Sequence, residues 1–197
     1  MRRDELIETL WDGELRAAQA LWDASRHLRH LLGEDSWGPR GGAYMLRLAV
    51  EDDGRRFDEL VDVALGTGSV AGRLDAGERA LEVIGEGGYL EWCEGLWALT
   101  ERTRVAGRAT AVALALAGLY EGLGRSEDAL AACRRAARFD PLDEAPRLTL
   151  LRLLAVAGRL EEAMREYKAY RRLLRDELAA EPSPALRALV KVLARQS

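Results

Sequence analysis

Two histidines, His27 and His30, stand three residues apart. On a helix that spacing puts both imidazoles on one face, where they could clip a metal ion. A metal needs further ligands, and the neighbouring sequence supplies none, so a solvated or stacked pair is the plainer reading. Cys93 and Cys133 lie among Ala and Leu in helical patterns and read as two free thiols of a reducing compartment. Gly66-Thr67-Gly68-Ser69-Val70-Ala71-Gly72 superficially suggests a dinucleotide loop. That fingerprint needs a preceding strand and a third glycine one position earlier, whereas residues 58–65 read as helix; the stretch is therefore a loop between helices. The chain carries no phosphate-loop motif, no nucleophile elbow and no zinc-protease motif. No catalytic residue, metal or cofactor is expected, and the chain reads as a non-enzyme.

What positions the remaining side chains follows from composition and periodicity. The 197 residues are 48% hydrophobic and 31% charged, enough for a buried core in one large or two small domains. The net charge of −4 gives no long-range attraction to phosphate, which lowers the expectation of nucleic-acid binding without excluding a local basic face. Met1-Arg2-Arg3 is followed at once by Asp4 and Glu5, unlike a secretory leader, and no run of apolar residues is long enough to span a membrane. The expected location is the cytoplasm.

Leu, Ala, Arg and Glu dominate, and glycine clusters at 41–42, 66–72 and 85–88 mark breaks. We divide the chain at about residue 50, into 1–50 and 51–197. In the first part, residues 3–11 set Leu6, Ile7, Leu10 and Trp11 on one helical face. A second helix over 14–32 has Leu15, Ala18, Leu21, Ser25, Leu28 and Leu32 as its apolar stripe, with Gly33 as its stop. Residues 37–48 read as two short strands around a glycine turn, with Tyr44, Leu46 and Leu48 alternating against Met45 and Arg47. The second part reads as helices over 53–65, 76–84 and about 92–123, and then as a repeat.

Gly124-Arg125-Ser126-Glu127-Asp128-Ala129 recurs as Gly158-Arg159-Leu160-Glu161-Glu162-Ala163, an offset of 34 residues. The same shift carries Leu116 and Leu119 onto Leu150 and Leu153. A 34-residue period is the tetratricopeptide length. The glycines suit the turn between paired helices, and Ala129 and Ala163 let those helices approach closely. Asp140-Pro141 and Ser183-Pro184 each pair a capping residue with a proline suited to the first helical position. The second unit is expected to have the longer second helix. The fold class is thus mainly α: a tetratricopeptide-like helical module behind a small N-terminal part of two helices and a hairpin.

Phe57-Asp58-Glu59-Leu60, Phe139-Asp140-Pro141-Leu142-Asp143-Glu144-Ala145, the 158–163 stretch, Leu173-Leu174-Arg175-Asp176-Glu177-Leu178 and Glu181-Pro182-Ser183-Pro184 follow one another in an order and spacing that has a counterpart. Residues 52–194 resemble the bacterial transcriptional activator domain of antibiotic-pathway regulatory proteins. Residues 3–48 are similar to the latter half of an OmpR/PhoB-type winged helix, with 3–11 as its second helix, 21–33 as its recognition helix and Gly41-Gly42-Ala43-Tyr44-Met45-Leu46 as its wing. The sheet and first helix that open such a domain have no counterpart here. Leu6, Leu10, Leu21 and Leu28, which that helix would cover, are expected to pack elsewhere, against the helical module.

The resemblance implies a transcriptional regulator whose helical part meets a protein partner or a second copy of the chain. It also implies an alternative, direct DNA binding by 14–33 and the hairpin 37–48. In that reading Gln19, Trp22, Asp23, Arg26, His27 and His30 face outward, with Arg40 in the wing. Arg26 would read guanine and Gln19 adenine, while Arg16, Arg29 and Arg40 would hold phosphates. Against it, residues 1–50 carry seven arginines and eight acids, Asp23 falls in the middle of the face, and Trp22 reads more naturally as packed. On the helical module, Arg104, Arg108, Arg147 and Arg152 are candidate partner contacts on the first helix of each pair, each otherwise a solvated position. Tyr167 and Tyr170 suit either an anchor or the core.

Overall fold

A computed structural model of the protein describes residues 1–11, 14–48, 51–85, 89–93 and 95–195. The chain divides into two compact units, one of Met1–Asp52 with Gly88–Thr103 and the other of Asp53–Gly87 with Arg104–Ser197. Among the described residues, none of the helices is long and apolar enough to cross a membrane.

In the first unit, helix α1 (Arg3–Trp11) precedes helix α2 (Ala17–Leu32), strand β1 (Trp37–Arg40) and strand β2 (Ala43–Leu46). The inner stripe of α2 is Ala17, Leu21 and Ser25, all buried at four-residue spacing. The expected start at residue 14 and the expected stripe are corrected here: Leu15 is fully exposed, ahead of the helix, and Leu32 is 43% exposed at its end. Gly33 does end α2, at φ 100°, where a Cβ is unfavourable. The strands pair antiparallel, Trp37 opposite Leu46 and Arg40 opposite Ala43. Gly41 and Gly42 join them with φ of 59° and 82°, both positive as a two-residue hairpin turn requires. Trp37 locks this hairpin to α2, its indole N–H donating to buried Ser25 Oγ at 3.0 Å and its ring lying 5.7 Å from that of Tyr44. The half-buried alternation expected along β2 does not appear, because Met45, Leu46 and Leu48 are all exposed. Of the four leucines expected to pack, Leu21 is buried, Leu6 and Leu28 are half-buried and Leu10 remains exposed.

The second unit is a stack of paired helices. Helix α3 (Asp53–Leu65) packs on α4 (Val70–Ile84) through Phe57, Val61 and Ala64 against Ala76, Ala80 and Leu81. Ser69 caps α4 by accepting from Gly72 N–H, so the helix begins at Val70, six residues before the expected 76. The expected glycine break at 85–88 is seen only at Gly85; residues 86–88 lie outside the described part. Helix α5 (Leu96–Gly122) follows, starting at Leu96 where the expectation ran from 92 across residue 94, itself outside the described part. Its first turns belong to the first unit and the rest to the second.

Helices α6 (Ser126–Phe139), α7 (Glu144–Val156), α8 (Leu160–Leu178) and α9 (Pro184–Leu193) complete the stack, α7 packing on α6, α8 and α9. The repeat is a structural one. Gly124 and Gly158 take φ of 71° and 73°. Arg125 N–H bonds Tyr120 O at 2.9 Å, and Arg159 N–H bonds Leu154 O at 2.8 Å, the same six-residue closure 34 positions on. Ala129 and Ala163 are both fully buried, as their smallness predicts. The second helix of the second repeat is the longer, 19 residues in α8 against 14 in α6. Ser183 caps α9 with Pro184 at its first position. Asp140-Pro141 does not start α7, however. Asp143 does, accepting from Ala145 N–H, while Asp140 accepts from Leu142 and Asp143 in a turn. Two start signals three residues apart compete there, and the acidic Asp143-Glu144 pair, at the positive end of the helix dipole, wins.

Candidate functional site

On the first unit, α2 sets its outward side chains by period alone: Gln19, Trp22, Arg26, His27 and His30 are exposed and Asp23 is half-exposed. Gln19 Nε2 donates to Asp23 Oδ2 at 3.3 Å, one helical turn on. Arg26 lies over the Trp22 ring, its guanidinium carbon 5.2 Å from the centroid. Trp22 is 53% exposed, so the expectation that it packs inside is corrected. His27 Nδ1 sits 3.1 Å from the Asp23 carbonyl oxygen, a bond it makes when that nitrogen carries the proton. Arg29 turns back, donating Nε–H to Ser25 O at 3.2 Å, and is half-buried. Arg16 occupies the N-cap of α2 without a side-chain cap bond, and Arg40 is exposed at the end of β1. The structure thus gathers Gln19, Arg26, His27 and His30 on one ridge, with Arg29 turned back at its side, Arg16 at the helix start and Arg40 in the hairpin. Among the described residues no three His, Cys, Asp or Glu side chains are grouped to hold a metal. Cys93 and Cys133 are free thiols, and burial pushes that of Cys133 up to about 11.

The four arginines singled out on the helical module are engaged within the second unit. Arg104 Nη1 reaches Asp58 Oδ1 at 2.8 Å. Arg108 bridges Asp58 at 3.1 Å and Asp62 at 2.6 Å. Arg147 faces inward, its side chain only 16% exposed, paired with Glu166 at 3.5 Å and lying over the Tyr170 ring. Tyr170 is itself buried and donates to Leu142 O at 2.9 Å, which makes it core; Tyr167 is half-buried. Arg152 forks onto Glu121, with bonds of 2.6 and 2.7 Å, while half of its side chain stays exposed. The Arg152 bond is the main cause that holds the Glu121 carboxyl below its usual range. Similar pairs tie α6 to α8, Arg134 to Glu162 at 2.5 Å and Arg159 to Glu127 at 2.8 Å.

One feature of the module escaped the sequence reading. Leu148, Arg152 and Val156 stand at four-residue intervals on the outer side of α7, with the two apolar members 39% and 78% exposed. They lie opposite Leu150, Leu151 and Leu154, which are fully buried. A helical-wheel count over 144–156 places them there; the leucine-rich composition of α7 hid it, since apolar residues occur all round the helix.

Residues 53–193 match the family described as Bacterial transcriptional activator domain. The chain is 29% identical over 192 residues to the regulatory protein AfsR of Streptomyces coelicolor, covering 94% of this chain and 19% of AfsR. Its fold is similar to that of EmbR of Mycobacterium tuberculosis, solved in complex with a low-affinity phosphopeptide, at a TM-score of 0.67 and 23% identity. That match covers 100% of this chain and 55% of the EmbR chain. The chain therefore spans about a fifth of one relative and little more than half of the other.

Proposed function

Because this chain belongs to the bacterial transcriptional activator domain family, a regulatory family and not an enzyme family, we propose that it serves a cytoplasmic transcriptional regulator as a protein-interaction or self-association module. The observation that carries this reading is the outer ridge of α7. Leu148 and Val156 flank Arg152, whose charge is already met by Glu121, so the ridge presents apolar side chains around a neutralised ion pair. Such a surface gains by covering apolar area without stranding a charge. The relative solved with a phosphopeptide meets a protein segment, in keeping with this reading. Size-exclusion chromatography with light scattering tests self-association. Val156→Asp should abolish whichever association the wild-type chain shows; an association untouched by Val156→Asp and Leu148→Asp would end the reading.

A second reading is direct DNA binding through α2 and the 37–48 hairpin, and a specific observation favours it. The outward ridge of α2 from Gln19 to His30 runs about three turns, is polar apart from Trp22 and largely exposed, and its hairpin is held in place by Trp37. Binding to duplex DNA measured at two salt concentrations tests it, since phosphate contacts make affinity fall steeply as salt rises. No binding at low salt would remove this reading and leave the first one standing.

A further inference from the structure

The outward ridge of α2 has its own chemistry, and on the DNA-binding reading above we propose that it selects G·C pairs in the major groove. Arg26 would donate to guanine, Asp23 would accept from cytosine, and Trp22 would act as a positioning residue for Arg26. The starting point is Asp23. A carboxylate in the middle of a phosphate-facing surface is unfavourable, and no cation in α2 neutralises this one; its bonding partner is the amide of Gln19, which holds one carboxylate oxygen at 3.3 Å. Among the described residues no donor meets the second oxygen, which remains an acceptor on a half-exposed side chain. In the major groove cytosine offers a lone N4 donor, which suits a carboxylate. Adenine sets its N7 acceptor beside its N6 donor, where a second carboxylate oxygen would be repelled. The same bond occupies Gln19, so adenine reading by Gln19 gives way to cytosine reading by Asp23.

Arg26 stands three residues on, about 4.5 Å along the helix axis and so close to one base-pair step from Asp23. Its guanidinium lies over the Trp22 ring at 5.2 Å. Among the described residues no hydrogen bond or ion pair engages the fork, and its N–H edge matches guanine O6 and N7. This accounts for an exposed tryptophan on a polar face: its ring removes freedom from a long side chain whose fork must arrive in one plane.

The test uses the full chain and a library of random duplexes, enriched through rounds of binding at low salt. Wild type should enrich sites with cytosine and guanine at neighbouring positions. Asp23→Asn should move the cytosine position to adenine, because an amide matches the adenine N6 and N7 edge. Arg26→Ala should lower the guanine preference by about ten- to a hundredfold. Trp22→Ala should weaken the preference at the guanine position alone, and Trp22→Phe should restore most of it. If wild type enriches a site and Asp23→Asn leaves its base preferences unchanged, this inference is overturned while DNA binding stands. If wild type binds no duplex at all, the DNA-binding reading fails and takes the inference with it. All three side chains lie on the solvent side of α2, and circular dichroism verifies that the variants stay folded.

Discussion

Leu116 of α5 lies against Gly77 of α4 so closely that a Cβ on Gly77 would stand 2.8 Å from one of its methyl carbons and 3.1 Å from its Cγ. Leu116 is 1% exposed and is held on all sides by core, so it has little room to yield. Replacing glycine by alanine in a helix interior is normally worth up to about 1 kcal/mol. Overpacking a tight core costs about 1–3 kcal/mol. Gly77→Ala is therefore expected to lower unfolding stability by about 1 kcal/mol in urea. Gly118→Ala is the control, because a Cβ there meets nothing within 4 Å. It should raise stability by about 0.5–1 kcal/mol. The opposite order of the two variants would contradict the close packing of α4 on α5.

The helix C-terminus at Ala179 offers a second test. Ala179 sits in the left-handed region, φ 50° and ψ 32°, and closes α8 through bonds from its own N–H to Arg175 O and from Ala180 N–H to Leu174 O. Glycine is the residue that takes this conformation without a Cβ penalty, as Gly124 and Gly158 do at the ends of α5 and α7. Ala179→Gly should stabilise the fold by about 0.5–1 kcal/mol, the relief of left-handed strain exceeding the added freedom of the unfolded chain. A lower denaturation midpoint would show that the strain is not there.

How much of this was legible in the sequence depends on how local the cause is. Gly124, Gly158, Ala129, Ala163 and the Ser183-Pro184 start were readable because each acts within one turn or one helix contact. The start of α7 was not, because two cap signals overlapped and only the competition between them decides. The environments of Arg147 and Trp22 were not readable either. Arg147 turns inward because Glu166 and Tyr170 of α8 are waiting for it. Trp22 stays out because Leu21 and Ser25 already fill the inner side of α2 against Trp37. For the candidate site on α2 the period gave the ridge, while the bonds of Gln19 to Asp23 and of Arg26 to Trp22 needed coordinates.

Acid should loosen the turn between α8 and α9. Glu181 accepts from Arg171 at 2.6 and 3.1 Å and from Arg175 at 3.1 Å. Arg171, the larger cause, and Arg175 hold its carboxyl down at about 2. A carboxyl depressed in the folded state stabilises above its unfolded value, and that contribution disappears as pH falls through the folded one. The window is therefore from about pH 4.5 down to about pH 2. Melting temperature followed through this window should fall less steeply in Glu181→Gln than in wild type. Parallel slopes would mean that the clamp does not persist in solution.

Alkali should act at a different joint, where Tyr120 of α5 donates its hydroxyl to Glu78 of α4 at 2.8 Å. Tyr120 is 7% exposed, and burial first and the bond to Glu78 second push its hydroxyl up to about 12. The neutral phenol is thus favoured by folding. Its contribution is complete below the unfolded value near 10 and is lost as pH rises through about 12. Tyrosinate absorbance should show Tyr120 ionising late among the five tyrosines, together with buried Tyr170, whose hydroxyl burial also pushes up, and Tyr120→Phe should remove one late step. The same variant leaves a Glu78 acceptor that still has Arg135 at 3.6 Å, so the cost should stay modest, about 1–2 kcal/mol. If all five tyrosines ionise together in the folded protein, the hydroxyl is not sealed between α4 and α5, and the pairing of those helices at this point is wrong.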